Sequence, residues 1–200
     1  MQIAESKQTF PGVYEITPDE GSAFFLRARY LSLVSEDGLE AGFDFDEIMW
    51  ADVVHASYVY SVEKLAMAYL ARAEQCRAGL TAKLQKKGVP RKYIEQALDY
   101  LEECHFLDDA RFASAWLRDR MINHAEGRGR LAAELASRGI ERKQAACALD
   151  EFFSENDEQE LCSRAYQKLL RIHRDANKIY TSLVRLGFKN REILAVIAKK

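Results

Sequence analysis

Three arrangements in this 200-residue chain hold residue types that chemistry uses. Gly127-Arg-Gly129-Arg-Leu-Ala132 has the G-x-G-x-x-A spacing that lets backbone amides approach a pyrophosphate. That geometry needs a preceding strand, and these glycines follow a helical stretch, so no dinucleotide site is expected. Glu102-x-x-His105 is one half of a carboxylate–histidine metal motif, whose second copy and further glutamates are missing. Cys104, His105, Asp108 and Asp109 could be drawn as a metal cluster, but the two aspartates stand where a helix should begin, and capping accounts for them. His55, His124 and His173 have no partner at ligand spacing. There is no GxxxxGK[ST], HExxH, GxSxG or EF-hand loop. No catalytic residue, metal or cofactor is expected.

What remains is cationic. Residues 77–92 hold Arg77, Lys83, Lys86, Lys87, Arg91 and Lys92 without one acid, and 162–191 hold eight bases against Asp175 alone. Between them lie Arg118, Arg120, Arg128, Arg130 and Arg138. Cations favour helix C-termini, which can explain Lys86, Lys87 and Arg185. Arg128 and Arg130 sit near a helix start, where the dipole opposes them, so an external anion is expected to supply their counter-charge. The net charge of −2 conceals a division: residues 1–60 carry 3 Lys+Arg against 11 Asp+Glu, and residues 61–200 carry 26 against 20. An acidic head held beside a basic body is expected to compete for the same basic face.

The elements that position these residues repeat. Leu80-x3-Leu84-x3-Gly88-Val89, Leu131-x3-Leu135-x3-Gly139-Ile140 and Ile179-x3-Leu183-x3-Gly187-Phe188 are one pattern, with glycines 51 and 48 residues apart. An i, i+4 apolar pair gives a helix a buried stripe. A glycine four residues on can take the left-handed conformation that ends it, with the next apolar side chain folding back. Pro90 is expected at the first position of the following helix and Asn190 at an N-cap. Each unit has a helix upstream: Val62 to Glu74; Asp109 to Ile122 with Phe112, Trp116 and Leu117; and Asn156 to Ile172. Trp116, four residues from Phe112, is assigned to the core.

The expected fold is mainly α: an elongated tandem array of three three-helix repeats behind a small β-hairpin-containing segment. The segments are 1–57, 58–106, 107–154 and 155–200. Within the first, Val13 to Thr17 and Ala23 to Leu33 are expected to pair across Pro18-Asp19-Glu20-Gly21, and Phe45, Ile48, Met49 and Val53 to form a short helix. Gly88, Gly139, Gly187, Phe112, Trp116 and Leu135 are the expected structural residues. The N-terminus has no apolar signal region, and the longest purely apolar stretch is six residues, Ile193 to Ala198, so neither export nor membrane insertion is expected. Cys76, Cys104, Cys147 and Cys162 form no CxxC pair and read as free thiols of a cytoplasmic protein.

Leu107-Asp108-Asp109-Ala-Arg111-Phe112-Ala-x-x-Trp116-Leu-Arg118-x-Arg120, followed by Gly127-Arg128-x-Arg130-Leu131-x-x-Glu134-Leu135-x-x-Arg138-Gly139-Ile140, resembles the second repeat of the RecX regulatory proteins. Ala68-x-Leu70 and Leu84-x-x-Lys87-Gly88-Val89-Pro90 resemble the first repeat, and the resemblance spans about residues 60–200. It departs at Gly129, which stands between Arg128 and Arg130 and is expected to loosen that helix start. The resemblance implies a non-enzymatic modulator of the RecA recombinase, lodged in the groove of the RecA–single-stranded-DNA filament. Such a protein suppresses ATP hydrolysis, strand exchange and LexA-type coprotease activity. Its expected partner-binding residues are Arg111, Arg118, Arg120, Arg128, Arg130, Arg138, Lys83, Lys86, Lys87 and Lys92. It is expected to be a monomer with at most weak direct contact to single-stranded DNA.

A direct DNA-binding helical module is the alternative, because helix, glycine turn and helix imitate helix-turn-helix geometry. Bases on both sides of each turn, and no aromatics interleaved among them, argue against it. A helical scaffold for another protein is a third reading.

Overall fold

Val13-Tyr14-Glu15-Ile16-Thr17 is rich in β-branched and aromatic residues, which favours a strand, and Val13 and Ile16 are buried. The computed structural model describes residues 1–172 and 175–198, so His173 lies outside the described residues. Strands β1 (Ile3–Phe10), β2 (Val13–Pro18) and β3 (Phe24–Arg27) form one antiparallel sheet in that order. The expected hairpin is β2 with β3, in a register that pairs Val13 with Arg27 and Ile16 with Phe24. β1 was not foreseen, because only Ile3 of its eight residues is buried and the alternation that betrays a strand is missing. Ala28 to Leu33 does not continue β3 as expected. A 3-10 turn at Ala28–Tyr30 breaks it, and the backbone N–H groups of Ser32, Leu33 and Val34 then donate to the buried carboxylate of Asp52 at 2.8–3.0 Å.

Helix α1 runs Glu47–Leu70, capped by Asp46, whose carboxylate accepts from the N–H of Met49. The short helix near Val53 and the first repeat helix expected from Val62 are therefore one 24-residue helix, and the expected division at 57/58 falls inside it. The reason is continuity: no Gly or Pro occurs between Glu47 and Leu70, while Val53, Ala56, Val59, Val62 and Ala66 extend one buried stripe. The remaining helices are α2 (Arg77–Lys86), α3 (Arg91–Glu103), α4 (Asp109–Asn123), α5 (Arg128–Ser137), α6 (Arg142–Glu155), α7 (Glu158–Leu170), α8 (Ala176–Arg185) and α9 (Asn190–Ala198). No strand follows Tyr58 among the described residues.

The three repeat glycines end α2, α5 and α8 as expected. Gly88, Gly139 and Gly187 have φ of +81°, +79° and +87°. After each, the apolar residue sends its N–H back: Val89 to Leu84 at 3.2 Å, Ile140 to Leu135 at 3.2 Å and Phe188 to Leu183 at 3.3 Å. A fourth terminator has no glycine. His105 ends α3 with φ +58°, and Phe106 bonds back to the Leu101 carbonyl at 2.9 Å. Pro90 is the N-cap of α3 rather than its first residue. Asn190 is the first residue of α9, whose start is closed by Glu192 accepting from the N–H of Lys189 at 2.7 Å.

The chain divides into two compact units, Met1–Ala73 with Leu80–Leu107, and Glu74–Gly79 with Asp108–Lys200. In the first, the sheet and the stretch to Phe45 share one core with α1 and α3, built from Ile16, Leu26, Val59, Leu80, Leu84, Ile94 and Leu98. Arg27 is clamped within it, with Nε and Nη2 donating to Glu63 at 2.8 and 2.5 Å; Tyr30 Oη donates to the same carboxylate at 2.8 Å. Three of the head's eleven acids are engaged inside this unit: Asp52 by backbone N–H groups, Asp46 in the α1 cap and Glu36 by the Tyr14 hydroxyl at 2.6 Å. The head is thus part of the folded unit that carries α1 and α3.

The second unit has its own core, including Ala113, Leu117, Leu131, Leu135, Leu149, Leu161, Ile179, Leu183 and Ile193. Its repeats are joined by one device used twice. The N–H of Arg77 at the start of α2 donates to Asp109, first residue of α4, at 2.7 Å; the N–H of Arg128 at the start of α5 donates to Glu158, first residue of α7, at 2.9 Å. The same helix starts press on the next glycine turn. A Cβ on Gly139 would stand 2.7 Å from the Ala78 Cβ, and one on Gly127 would stand 2.5 Å from the Gly187 carbonyl oxygen. The N–H of Gly127 donates to the Leu186 carbonyl at 2.8 Å. Gly129 lies in the same close approach: its N–H donates to the Gly187 carbonyl at 3.2 Å, and a Cβ there would lie 3.2 Å from that oxygen.

Candidate cationic surfaces

In the second unit, α4 and α5 bring Trp116, Arg120, Arg130, Glu134 and Arg138 together. Asp108 starts α4 by accepting from the N–H groups of Ala110 and Arg111 at 2.9 and 3.0 Å, which bears out capping. Trp116 is half-buried at the edge of the core, and its ring carries two guanidiniums, Arg138 at 4.5 Å and Arg120 at 5.7 Å from the centroid. It serves core and surface at once; Phe112 beside it is half-buried and Leu135 fully buried.

Arg120 is held by the buried Glu126 through two bonds of 2.8 and 3.0 Å, and this pairing raises the Arg120 pKa. Glu134 accepts from Arg138 Nη1 at 2.7 Å and pairs with Arg130 Nη2 at 2.7 Å. The hydrogen bond from Arg138 and the charges of Arg130, Arg138 and Arg120 lower the Glu134 pKa, against the effect of burial. One carboxylate, Glu134, therefore answers two guanidiniums, and Glu126 answers a third.

Arg111 pairs with Glu74 at 2.6 Å, while Arg118 is exposed and has no ion-pair partner among the described residues. Arg128 and Arg130 do not lack counter-charges, contrary to the sequence expectation. The Arg128 guanidinium pairs with Asp150 from α6 and lies 5.7 Å from the Phe153 ring centroid, and Arg130 has Glu134. Glu134 is the i+4 neighbour of Arg130, a pairing local in the sequence, whereas Asp150 comes from α6 and no short window around residue 128 shows it.

In the first unit, Lys86 and Lys87 are exposed at the end of α2. The ammonium of Lys83 lies 5.3 Å from the Tyr69 ring centroid, and that of Lys92 lies 4.6 Å from the Tyr93 ring centroid. Aromatics are interleaved with these bases after all: Tyr58 from α1 stacks on Tyr93 at 5.5 Å with 23° between the planes, and His55 tilts against Tyr93 at 5.2 Å. The pair is 35 residues apart in the chain, which hides it from any local pattern.

Among the described residues no group of three or more His, Cys, Asp or Glu side chains could hold a metal, and no helix is long and apolar enough to cross a membrane. Cys76 and Cys162 are buried thiols; Cys76 Sγ donates to the Arg138 carbonyl at 3.4 Å, and burial pushes the Cys162 thiol up to about 11.

Glycine-ended helices recurring at constant spacing, with arginines gathered on α4 and α5, define a tandem three-helix repeat protein with cationic faces. Residues 64–101 match the family model described as RecX, first three-helix domain, and residues 108–149 match RecX, second three-helix domain. The chain belongs to the RecX family of regulatory proteins. It is similar to the regulatory protein RecX of Treponema pallidum (strain Nichols), 40% identical over 119 residues, covering 60% of this chain and 73% of that one. The RecX of Geobacillus kaustophilus is 28% identical over 167 residues, 80% of this chain and 61% of its own. Among solved structures, a crystal structure of regulatory protein RecX superposes with TM-score 0.81 at 22% identity, covering 99% of this chain and all of the other. RecX from Lactobacillus salivarius superposes with TM-score 0.62 at 23% identity, over 72% of this chain and 97% of that one.

Proposed function

We propose that this protein is a non-enzymatic cytoplasmic regulator that binds the RecA–single-stranded-DNA filament as a monomer and inhibits RecA ATPase, strand exchange and coprotease activity. The supporting observation is the clustering of three guanidiniums on two carboxylates beside Trp116, Arg130 and Arg138 sharing Glu134 and Arg120 held by Glu126, within the stretch that matches the second RecX domain. An excess of guanidinium over carboxylate suits a surface of phosphates or carboxylates, and Arg can engage either through paired donors. Arg111 and Arg118 lie in the same stretch on α4; Lys83, Lys86, Lys87 and Lys92 supply further cations in the other unit. Contacts of this kind weaken as salt rises.

The test is RecA ATPase on single-stranded DNA with this protein added in increasing amounts, beside its binding to naked DNA. Inhibition at concentrations that leave naked DNA unsaturated supports filament binding. ATPase unaffected at every ratio overturns it.

A further inference from the structure

The first unit carries a second arrangement with its own chemistry. Tyr58 is 56% exposed although it is a large aromatic on a helix with a buried face. Its ring is fixed by stacking on Tyr93, which is in turn held by His55, itself 2.7 Å from Gln96 Oε1 through Nε2. An exposed aromatic stacked on Tyr93 is therefore presented at the start of α3, which Arg91 and Lys92 open one residue before Tyr93 and which follows the turn after Lys86 and Lys87. Acids are scarce around it. Between Glu47 and Glu63 the only acid of α1 is Asp52, which is buried and occupied by backbone donors, and Glu95 is paired with Arg91 at 2.6 Å.

We infer that Tyr58 and Tyr93, with Lys86, Lys87 and Lys92, form a stacking site for single-stranded nucleic acid. A base rests on the open face of Tyr58, and adjoining phosphates meet the lysines. An unpaired base offers a π-face of its own size, whereas duplex DNA hides its faces, so the site selects single strands without reading sequence. This site goes beyond filament binding by the second unit, and either can fail while the other stands.

The experiment compares full-length protein binding to a labelled oligothymidylate and to an abasic phosphodiester oligomer of equal length at low salt. Tyr58→Ala should weaken oligothymidylate binding roughly tenfold and leave abasic binding unchanged. Tyr58→Phe should bind like the parent, and Lys92→Gln should weaken both ligands. Circular dichroism on each variant confirms the fold, which the exposure of Tyr58 favours. No measurable oligothymidylate binding by the parent, or equal binding by parent and Tyr58→Ala, overturns the site. Equal binding with RecA inhibition lost would assign the rings to a protein contact instead, and likewise overturns it.

Discussion

The carbonyl oxygen of Gly187 accepts a hydrogen bond from the N–H of Gly129 at 3.2 Å, so the end of α8 and the start of α5 meet backbone to backbone. Any Cβ on Gly187 would collide with the Arg130 backbone nitrogen and stand 2.7 Å from its Cβ. Gly88 has the same positive φ but open space around it.

Three substitutions with the same backbone conformation but different neighbours should therefore rank. Gly88→Ala should cost about 1 kcal/mol, the strain of a left-handed residue alone. Gly139→Ala adds a clash with Ala78 and should cost roughly 2–4 kcal/mol, with Gly139→Val worse. Gly187→Ala should be the most damaging of the alanines. Urea unfolding of the three checks the order, and equal midpoints would show that the glycines serve only the helix ends.

Asp109 is predicted to act as an acceptor more than as a charge. Burial raises its pKa despite the opposing hydrogen bond from the Arg77 N–H. A folded pKa above the unfolded one means a stability contribution complete below the unfolded value and lost as pH rises through the folded value. Asp109→Asn keeps an oxygen for Arg77 and should be near neutral in stability at pH 7, without that pH dependence. Asp109→Ala leaves the donor open and should cost about 1 kcal/mol. Denaturant midpoints at neutral pH and in the carboxylate range distinguish the two.

Glu134→Gln should tighten binding to an anionic partner, because it releases Arg130 and Arg138 from their shared carboxylate. Inhibition of RecA should appear at several-fold lower protein concentration, with a steeper loss on adding salt. Stability should fall by only about 0.5 kcal/mol, since the arginines are partly exposed. The Glu134 pKa is depressed, so its contribution to stability is present above its unfolded pKa and fades as pH falls through the folded one. Inhibition no stronger than the parent's would separate these arginines from the binding surface.

Charge reversal at Arg128 and Arg130 together should weaken RecA inhibition while leaving the helical signal intact. Arg128 loses its pairing with Asp150, but that carboxylate is 71% exposed and can return to water at little cost. Unchanged inhibition by the folded double variant at low and moderate salt would exclude this helix start from the contact.

Deleting residues 1–57 should unfold the first unit rather than unmask a basic face. The deletion removes the sheet, Asp52 and the first eleven residues of α1, all of which belong to one core. Circular dichroism should show a loss of helix beyond the residues removed. A truncated protein with native melting would restore the acidic segment as an independent arm.

The repeating part of the fold was legible because its signals are local. Leu131, Leu135, Gly139 and Ile140 lie within three turns, and each acts on its immediate neighbours. The same window cannot show what arrives from elsewhere. Asp150 neutralises Arg128 from 22 residues away, and Glu158 caps its N–H from 30 residues away. The Tyr58–Tyr93 stack and the mixed exposure of Trp116 were hidden for the same reason. In the head, β1 escaped notice because its stability comes from pairing with β2 and not from its own side chains. His105 escaped because a histidine ends α3 where the other three turns use glycine.

The caps at Asp109 and Glu158 also set an order of completion during synthesis. The chain emerges from its N-terminal end, so α2 is made before the carboxylate that closes it, and α5 waits for Glu158 in the same way. Each of these helices stays frayed at its start until the ribosome has added about thirty further residues, and its registration on the following turn comes later still. α8 differs, because Asp175 precedes it and accepts from the N–H of Asn177 at 2.8 Å. That helix is closed by a residue already translated when it forms.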